Sequence, residues 1–400
     1  MEGRQKYLKT GGLIFLVTLL GMTGPLSTDM YMPSLPNMAH QFNTSATIVN
    51  FTLVVFFLFM AVGMLFFGPL SDRHGRKKIL LTALTIYALS SLMCAFATNA
   101  YFLIIMRALQ GLGGGGMSSM SVAIIKDSFE AERRAKALAV VQSMTVIAPI
   151  VAPVIGAMIV RFAMWRVVFV VLTCIAAVGI VTTALFQESI HDDERNYGGV
   201  LKSLGRILVV GRNINFTPYL LSVSLYIAPF MAYLAVASYT YIEFFGLTET
   251  MFSVFFATNA GLSVLGPMLF IRLNGKVSQK LLMRIVVSVG IVVSVLLFTV
   301  GRLSPIAFLC CMIPFSMSNS FLRPLSTNIL LDQQKGDTGS ASALLNFSNM
   351  LFGSIGMFIG SLPWGNFIVG LAITMLCFSV ASSVVWTIVS HTKKIDMHMT

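Results

Sequence analysis

The chain has 400 residues, 56% of them hydrophobic and only 10% charged, with a mean hydropathy of +0.85. These values exclude a soluble globular domain and describe a polytopic membrane protein. The net charge of +12 does not indicate a nucleic-acid partner, because Lys and Arg sit in short groups between apolar runs and not along one amphipathic face. The cysteines, Cys94, Cys174, Cys310, Cys311 and Cys377, lie inside apolar runs without C-x-x-C spacing, so neither disulfides nor a metal site are expected. No H-E-x-x-H, G-x-S-x-G or Walker string occurs and the five His are scattered, so no enzyme and no direct use of ATP is expected.

Twelve apolar runs follow one another, at about residues 11–33, 48–70, 79–98, 101–125, 135–160, 165–187, 213–241, 250–272, 281–301, 305–331, 338–361 and 363–390. Each is close to the roughly 20 residues that a spanning helix needs, and the expected fold is all-α, with twelve transmembrane helices in two pseudo-symmetric six-helix bundles. The first run passes well beyond a signal-peptide core and has no small-x-small site, so no cleavage is expected. All but five of the 27 Lys and Arg fall in segments that are internal if the N-terminus is inside. The five are Arg161, Arg166 and Arg302 on the external side and Arg107 and Arg323 within spans. Both termini are therefore expected to be cytoplasmic.

In chain order, the first informative residue is Asp29, late in the first span. A carboxylate near the bilayer centre costs about 2.5–3.5 kcal/mol on insertion scales, so Asp29 is expected to face a cavity and not lipid. Between the second and third spans lies Gly68 to Lys78, GPLSDRHGRKK, in which Asp72 is the one acid among Arg73, Arg76, Lys77 and Lys78. Gly68 permits close helix approach, Pro69 discourages continuation of the helix, and the basic cluster resists translocation. This string resembles the cytoplasmic loop between helices two and three of the major facilitator superfamily, G-x-L-a-D-r-x-G-r-k. The resemblance implies a gating role for Gly68, Asp72, Arg73, Gly75 and Arg76, with Asp72 latching near the start of the eleventh helix, about Thr338 to Ser340.

On the fourth span, Arg107 lies at a depth comparable to Asp29 and is expected to be its partner, Gln110 joining it one turn on. Arg107-Ala108-Leu109-Gln110-Gly111 is similar to the superfamily's R-x-x-Q-G, and Gly111 with Gly113 to Gly116 offers a face for close helix packing. The fifth span carries Pro149, Pro153 and Gly156 in the form A-P-x-x-A-P-x-x-G, read as a bendable gating helix. It resembles the antiporter motif G-P-x-x-G-G, with Ala152 and Ala157 in place of two glycines. Together with S-T-D-M-Y-M-P on the first span and Trp165-Arg166, it resembles the bicyclomycin and chloramphenicol resistance (Bcr/CflA) branch of the superfamily.

The longest connector separates residues 1–187, an N-terminal bundle, from 213–400, a C-terminal bundle with a short tail, leaving 188–212 as a cytoplasmic linker. A weaker copy of the basic loop, Gly266, Pro267, Arg272, Gly275 and Lys276, follows the eighth span and suggests an internal repeat. On the seventh span Tyr226, Phe230 and Tyr233 share one face, and Met22 and Met144 are candidates to oppose them in a substrate cavity. Arg323, nearer the cytoplasmic end of the tenth span, is a further candidate for the inward mouth.

Taken with these residues, the resemblance implies a proton-coupled exporter of small amphiphilic compounds in a bacterial inner membrane, with Asp29 and Arg107 as the expected proton-coupling pair. The proton gradient is expected to replace any cofactor, and the protein is expected to act as a monomer in the lipid bilayer. A proton-linked importer of one solute has the same architecture, and a non-transporting sensor or scaffold is the third reading.

Overall fold

The computed structural model describes residues 7–190, 199–214, 216–333 and 338–391; the linker residues Asp192, Asp193, Glu194, Arg195 and Gly198 lie outside them. Secondary structure among the described residues is helical throughout, with no strand. The helices are α1 (Thr10–Asp29), α2 (Leu35–Gln41), α3 (Ala46–His74), α4 (Arg76–Ala95), α5 (Ala100–Ser128), α6 (Ala131–Phe162), α7 (Arg166–Leu185), α8 (Gly199–Gly211), α9 (Thr217–Tyr239), α10 (Glu249–Ser263), α11 (Leu265–Leu273), α12 (Gln279–Thr299), α13 (Pro305–Gln333), α14 (Thr338–Gly360) and α15 (Phe367–His391). Among the described residues, eleven segments are long and apolar enough to cross a membrane, α1 with α2 and α10 with α11 each counting as one. The remaining long helix, α5, has 29 residues, and Arg107, Gln110 and five glycines interrupt its apolar run.

Side chains and φ angles explain where the helices start and stop. Ser45, Asn99, Thr248 and Ser278 each accept a hydrogen bond from a backbone N–H in the first turn of the helix that follows, filling donors that have no partner inside the helix. The second span does not end at Pro69: α3 runs through it to His74, and the turn into α4 is the single residue Gly75, at φ 94°. A missing proline N–H near a helix end is tolerated where neighbours or water reach the freed carbonyl. The eighth span is broken at Val264, where α10 gives way to α11. Pro267 cannot donate to the carbonyl four residues back, that of Ser263, the last residue of α10. The connector 188–212 contains a helix, α8, that hydropathy spacing did not reveal.

The chain divides into two compact units, Met1–Leu204 and Gly205–Thr400. In the first, α3 packs on α5, α1 on α6, α4 on α7 and α4 on α5; in the second, α10 and α11 pack on α13, α9 on α14, α12 on α15 and α12 on α13. These are the same pairings six spans apart. Glycines mark the closest ones: a Cβ on Gly156 of α6 would lie 2.1 Å from the Met30 carbonyl oxygen beyond α1, and one on Gly356 of α14 would lie 2.0 Å from the Ala228 carbonyl oxygen of α9. Gly63 against Leu112 and Gly266 against Met317 repeat the correspondence for the second and fourth spans of each unit. The second copy of the basic loop also matches, since Gly275 turns α11 into α12 at φ 78° as Gly75 turns α3 into α4.

Candidate functional site

The polar centre of the first unit is built around Arg107, which has no exposed surface. Its Nη1 donates to the Ser27 carbonyl at 3.1 Å and to Gln110 Oε1 at 2.6 Å. Gln110 Nε2 donates to Ser91 Oγ at 2.7 Å, Ser91 donates to the Tyr87 carbonyl, and the Tyr87 and Ser27 hydroxyls hydrogen-bond to each other. The guanidinium carbon lies 4.3 Å from the centre of the Phe56 ring, 5.1 Å from Tyr31 and 5.8 Å from Phe169. Helices α1, α3, α4, α5 and α7 all contribute. Desolvating a cation costs several kcal/mol, and ring faces return about 0.5–2 kcal/mol each, so this cage offsets part of the cost. Two nitrogens, Nε and Nη2, have no hydrogen-bond partner among the described residues.

Asp29 is the last residue of α1 and is buried, at 4% exposure, not solvated at a helix end. Its Oδ1 accepts from the Thr28 hydroxyl at 2.9 Å. The expected pairing with Arg107 is corrected here: no ion pair joins them, and the ion pairs of Arg76 with Asp72 and Asp127 are of a different region. The reason is rotational. Ser27 and Tyr31, four residues apart, face the Arg107 cage, whereas Asp29, two residues from each, projects about 200° around the helix from Ser27. On the other side α6 comes up against Met30 at Gly156, so α6 packs on the backbone immediately after Asp29.

The remaining expected residues fall in both units. Met22 and Met144 are both half-buried beside the α1–α6 contact, where Gly21 meets Val141. Pro149 and Pro153 lie inside an unbroken α6. In the second unit Tyr226 and Tyr233 are fully buried, Tyr226 hydrogen-bonded to Ser318 at 2.6 Å and Tyr233 stacked on Phe256 at 6.0 Å, while Phe230 is half-buried. These tyrosines hold α9 to α10 and α13. Arg323 is exposed.

At the basic loop, Arg76 is 7% exposed and pairs with Asp72, with Asp127 at 2.8 Å and with Ser71 Oγ at 2.6 Å. Gly68 packs close to Ser119, and Arg73 is exposed. Asp127 and Glu188 were not singled out in the sequence, because an acid near the end of an apolar run looks like an ordinary interfacial residue. Glu188 accepts from the backbone N–H groups of Arg76 at 2.9 Å and Lys77 at 3.1 Å, capping α4. Tyr87 and Ser91 do not stand out in the sequence, and Ser27 and Tyr31 do so only as letters of the first-span motif, for a related reason: hydroxyls in a span satisfy their own backbone as readily as a distant partner. Asn50 also went unnoticed; it has no exposure, and both ends of its amide lack a partner among the described residues.

The chain is 32% identical over 351 residues, 86% of its length and 87% of the relative's, to the MFS-type transporter YdgK of Bacillus subtilis (strain 168). It is 28% identical over 279 residues, 69% of this chain and 70% of the other, to a bicyclomycin resistance protein homolog of Haemophilus influenzae. A crystal structure of a D-xylose-proton symporter superposes with a TM-score of 0.75 at 17% identity, covering 96% of this chain and 99% of that one, which speaks to the fold alone. The model of the Major Facilitator Superfamily matches residues 17–357. With its long apolar helices, a pairing of spans repeated between the two units and a buried arginine, the chain is a multi-pass membrane transporter belonging to the Major Facilitator Superfamily.

Proposed function

We propose that the protein exports small amphiphilic compounds from the bacterial cytoplasm in exchange for protons, by alternating access, from the inner membrane and with both termini inside. The observation that carries this reading is a buried acid and a buried arginine held in one bundle without an ion pair between them, Asp29 with a single side-chain donor and Arg107 with two unfilled nitrogens. Burial favours the neutral acid, and approach of a cation favours the carboxylate. A rearrangement that brings the two together therefore releases a proton, and one that separates them takes a proton up. Each inward proton contributes about 2.3 kcal/mol per 100 mV of membrane potential if it crosses the whole field. The relative named for bicyclomycin resistance supports outward movement of drug-like compounds, and the distribution of Lys and Arg supports the orientation.

The test is transport by purified protein in proteoliposomes under an imposed pH gradient, beside antibiotic tolerance of a pump-deficient bacterium. Wild type is expected to expel a fluorescent amphiphile when protons run the other way and to raise tolerance. Asp29→Asn, which keeps the shape but not the exchangeable proton, is expected to lose gradient-driven export. Full export by Asp29→Asn overturns the assignment of Asp29, and proton-driven uptake of a solute by wild type, without added tolerance, favours an importer.

A further inference from the structure

We propose that a groove on the outer face of α4 binds an anionic phospholipid, in the leaflet beside the basic loops. The orientation proposed above makes that leaflet cytoplasmic; the chemistry of the groove does not depend on it. The groove has a volume of about 660 Å³ and is lined by Lys77, Lys78, Leu81, Thr82, Thr85, Ile86 and Glu188.

Its rim is basic despite the glutamate. Glu188 is turned to the backbone: Oε1 accepts from the N–H groups of Arg76 at 2.9 Å, Ser189 at 3.0 Å and Ile190 at 3.3 Å, and Oε2 from Lys77 at 3.1 Å. The Lys77 ammonium donates to the Ala184 carbonyl at 2.7 Å, at the end of α7. Lys78 is exposed, and its ammonium has no partner among the described residues. Because α4 begins at Arg76, this free charge stands in its first turn, where a spanning helix leaves the hydrocarbon.

Below the rim the wall is apolar. The Thr82 and Thr85 hydroxyls donate to the Lys78 and Leu81 carbonyls at 3.1 and 2.8 Å, so both hydroxyl protons are used within the helix. Leu89, 58% exposed, and Met93, 38% exposed, extend the same face at helical spacing. The track from Lys78 to Met93 is about 22 Å long at 1.5 Å per residue, the scale of one acyl chain. A cation above a lipid-facing apolar track complements a phosphate esterified to acyl chains. A zwitterionic lipid leaves the net charge of the rim unmatched, and a free phosphate leaves the track unused.

The experiment is native mass spectrometry of the full chain released from micelles containing phosphatidylglycerol or phosphatidylcholine of equal chain length. Wild type is expected to retain phosphatidylglycerol preferentially. Lys78→Gln is expected to lose about fivefold of that preference, the roughly 1 kcal/mol that one lysine contributes beside anionic lipid, with phosphatidylcholine unchanged. Lys78→Arg is expected to keep the preference, which guards against a folding artefact. Thr85→Trp, which fills the track without altering charge, is expected to lose the bound lipid. Equal retention of both lipids by wild type, unchanged retention by Lys78→Gln, an equal loss on Lys280→Gln at the start of α12, or displacement by millimolar inorganic phosphate would each overturn the proposal.

Discussion

Arg107 is fully buried and hydrogen-bonded through one of its three nitrogens, and its surroundings depend on its shape more than on its charge. Its planar group lies among Phe56, Tyr31 and Phe169 while one nitrogen reaches both Ser27 and Gln110. A lysine ammonium is a compact, more strongly hydrated point charge and does not reproduce stacking together with a forked hydrogen-bond pattern. Arg107→Lys is therefore expected to fold, with a modest fall in thermal stability, yet to lose gradient-driven transport by at least about tenfold, the effect of roughly 1.4 kcal/mol. Near wild-type flux in proteoliposomes would show that charge alone suffices. The candidate site was legible as residue types, Asp29, Arg107 and Gln110 being conspicuous in oily spans. Their connections were not, since depth along a helix can be counted from its end while the direction of a side chain around the axis depends on what packs there.

Helix α6 shows how one absent side chain can place a chemical group on a neighbouring helix. At Gly156 the backbone of α6 approaches the Met30 carbonyl so closely that a methyl group would sit 2.1 Å from it, and Met30 follows Asp29 directly. Gly156→Ala is expected to push α6 away from that turn, cost about 1–3 kcal/mol, lower the unfolding temperature and reduce transport. Gly261→Ala on α10, where an added Cβ meets nothing within 4 Å, is the control, expected to leave stability unchanged or raise it slightly. Equal behaviour of the two variants in a thermal unfolding assay would refute this role. The helical motif around Gly156 could be read in the sequence as a place where something must come close; the identity of the neighbour could not.

Seen across both units, the internal repeat is one of packing more than of sequence. Gly156 and Gly356, Gly63 and Gly266, and Gly75 and Gly275 hold corresponding positions in chains of contact that pair the same spans. The charged loop departs from the repeat: Arg76 is flanked by Asp72 and Asp127, whereas the second copy has Arg272 and Lys276 in a loop without an acid from Arg272 to Lys280. Under the proposed alternating-access cycle, Asp72→Asn is expected to weaken closure on the side of the basic loops and shift the population toward the state open there. Cysteine probes lining that side should then label faster, and unchanged labelling counts against a latch. Hydropathy made the all-helical class and nearly every span legible, α5 with its arginine and glycines being the weakest, because bilayer thickness imposes a length and an oiliness on every crossing, and both can be read along one dimension. Three-dimensional packing decided the rest: that Asp29 is held by Thr28 and not paired with Arg107, that Arg76 joins Asp127, and that Glu188 caps α4. Those outcomes depend on how helices rotate and bend against one another, a balance of close contacts among residues far apart in the chain.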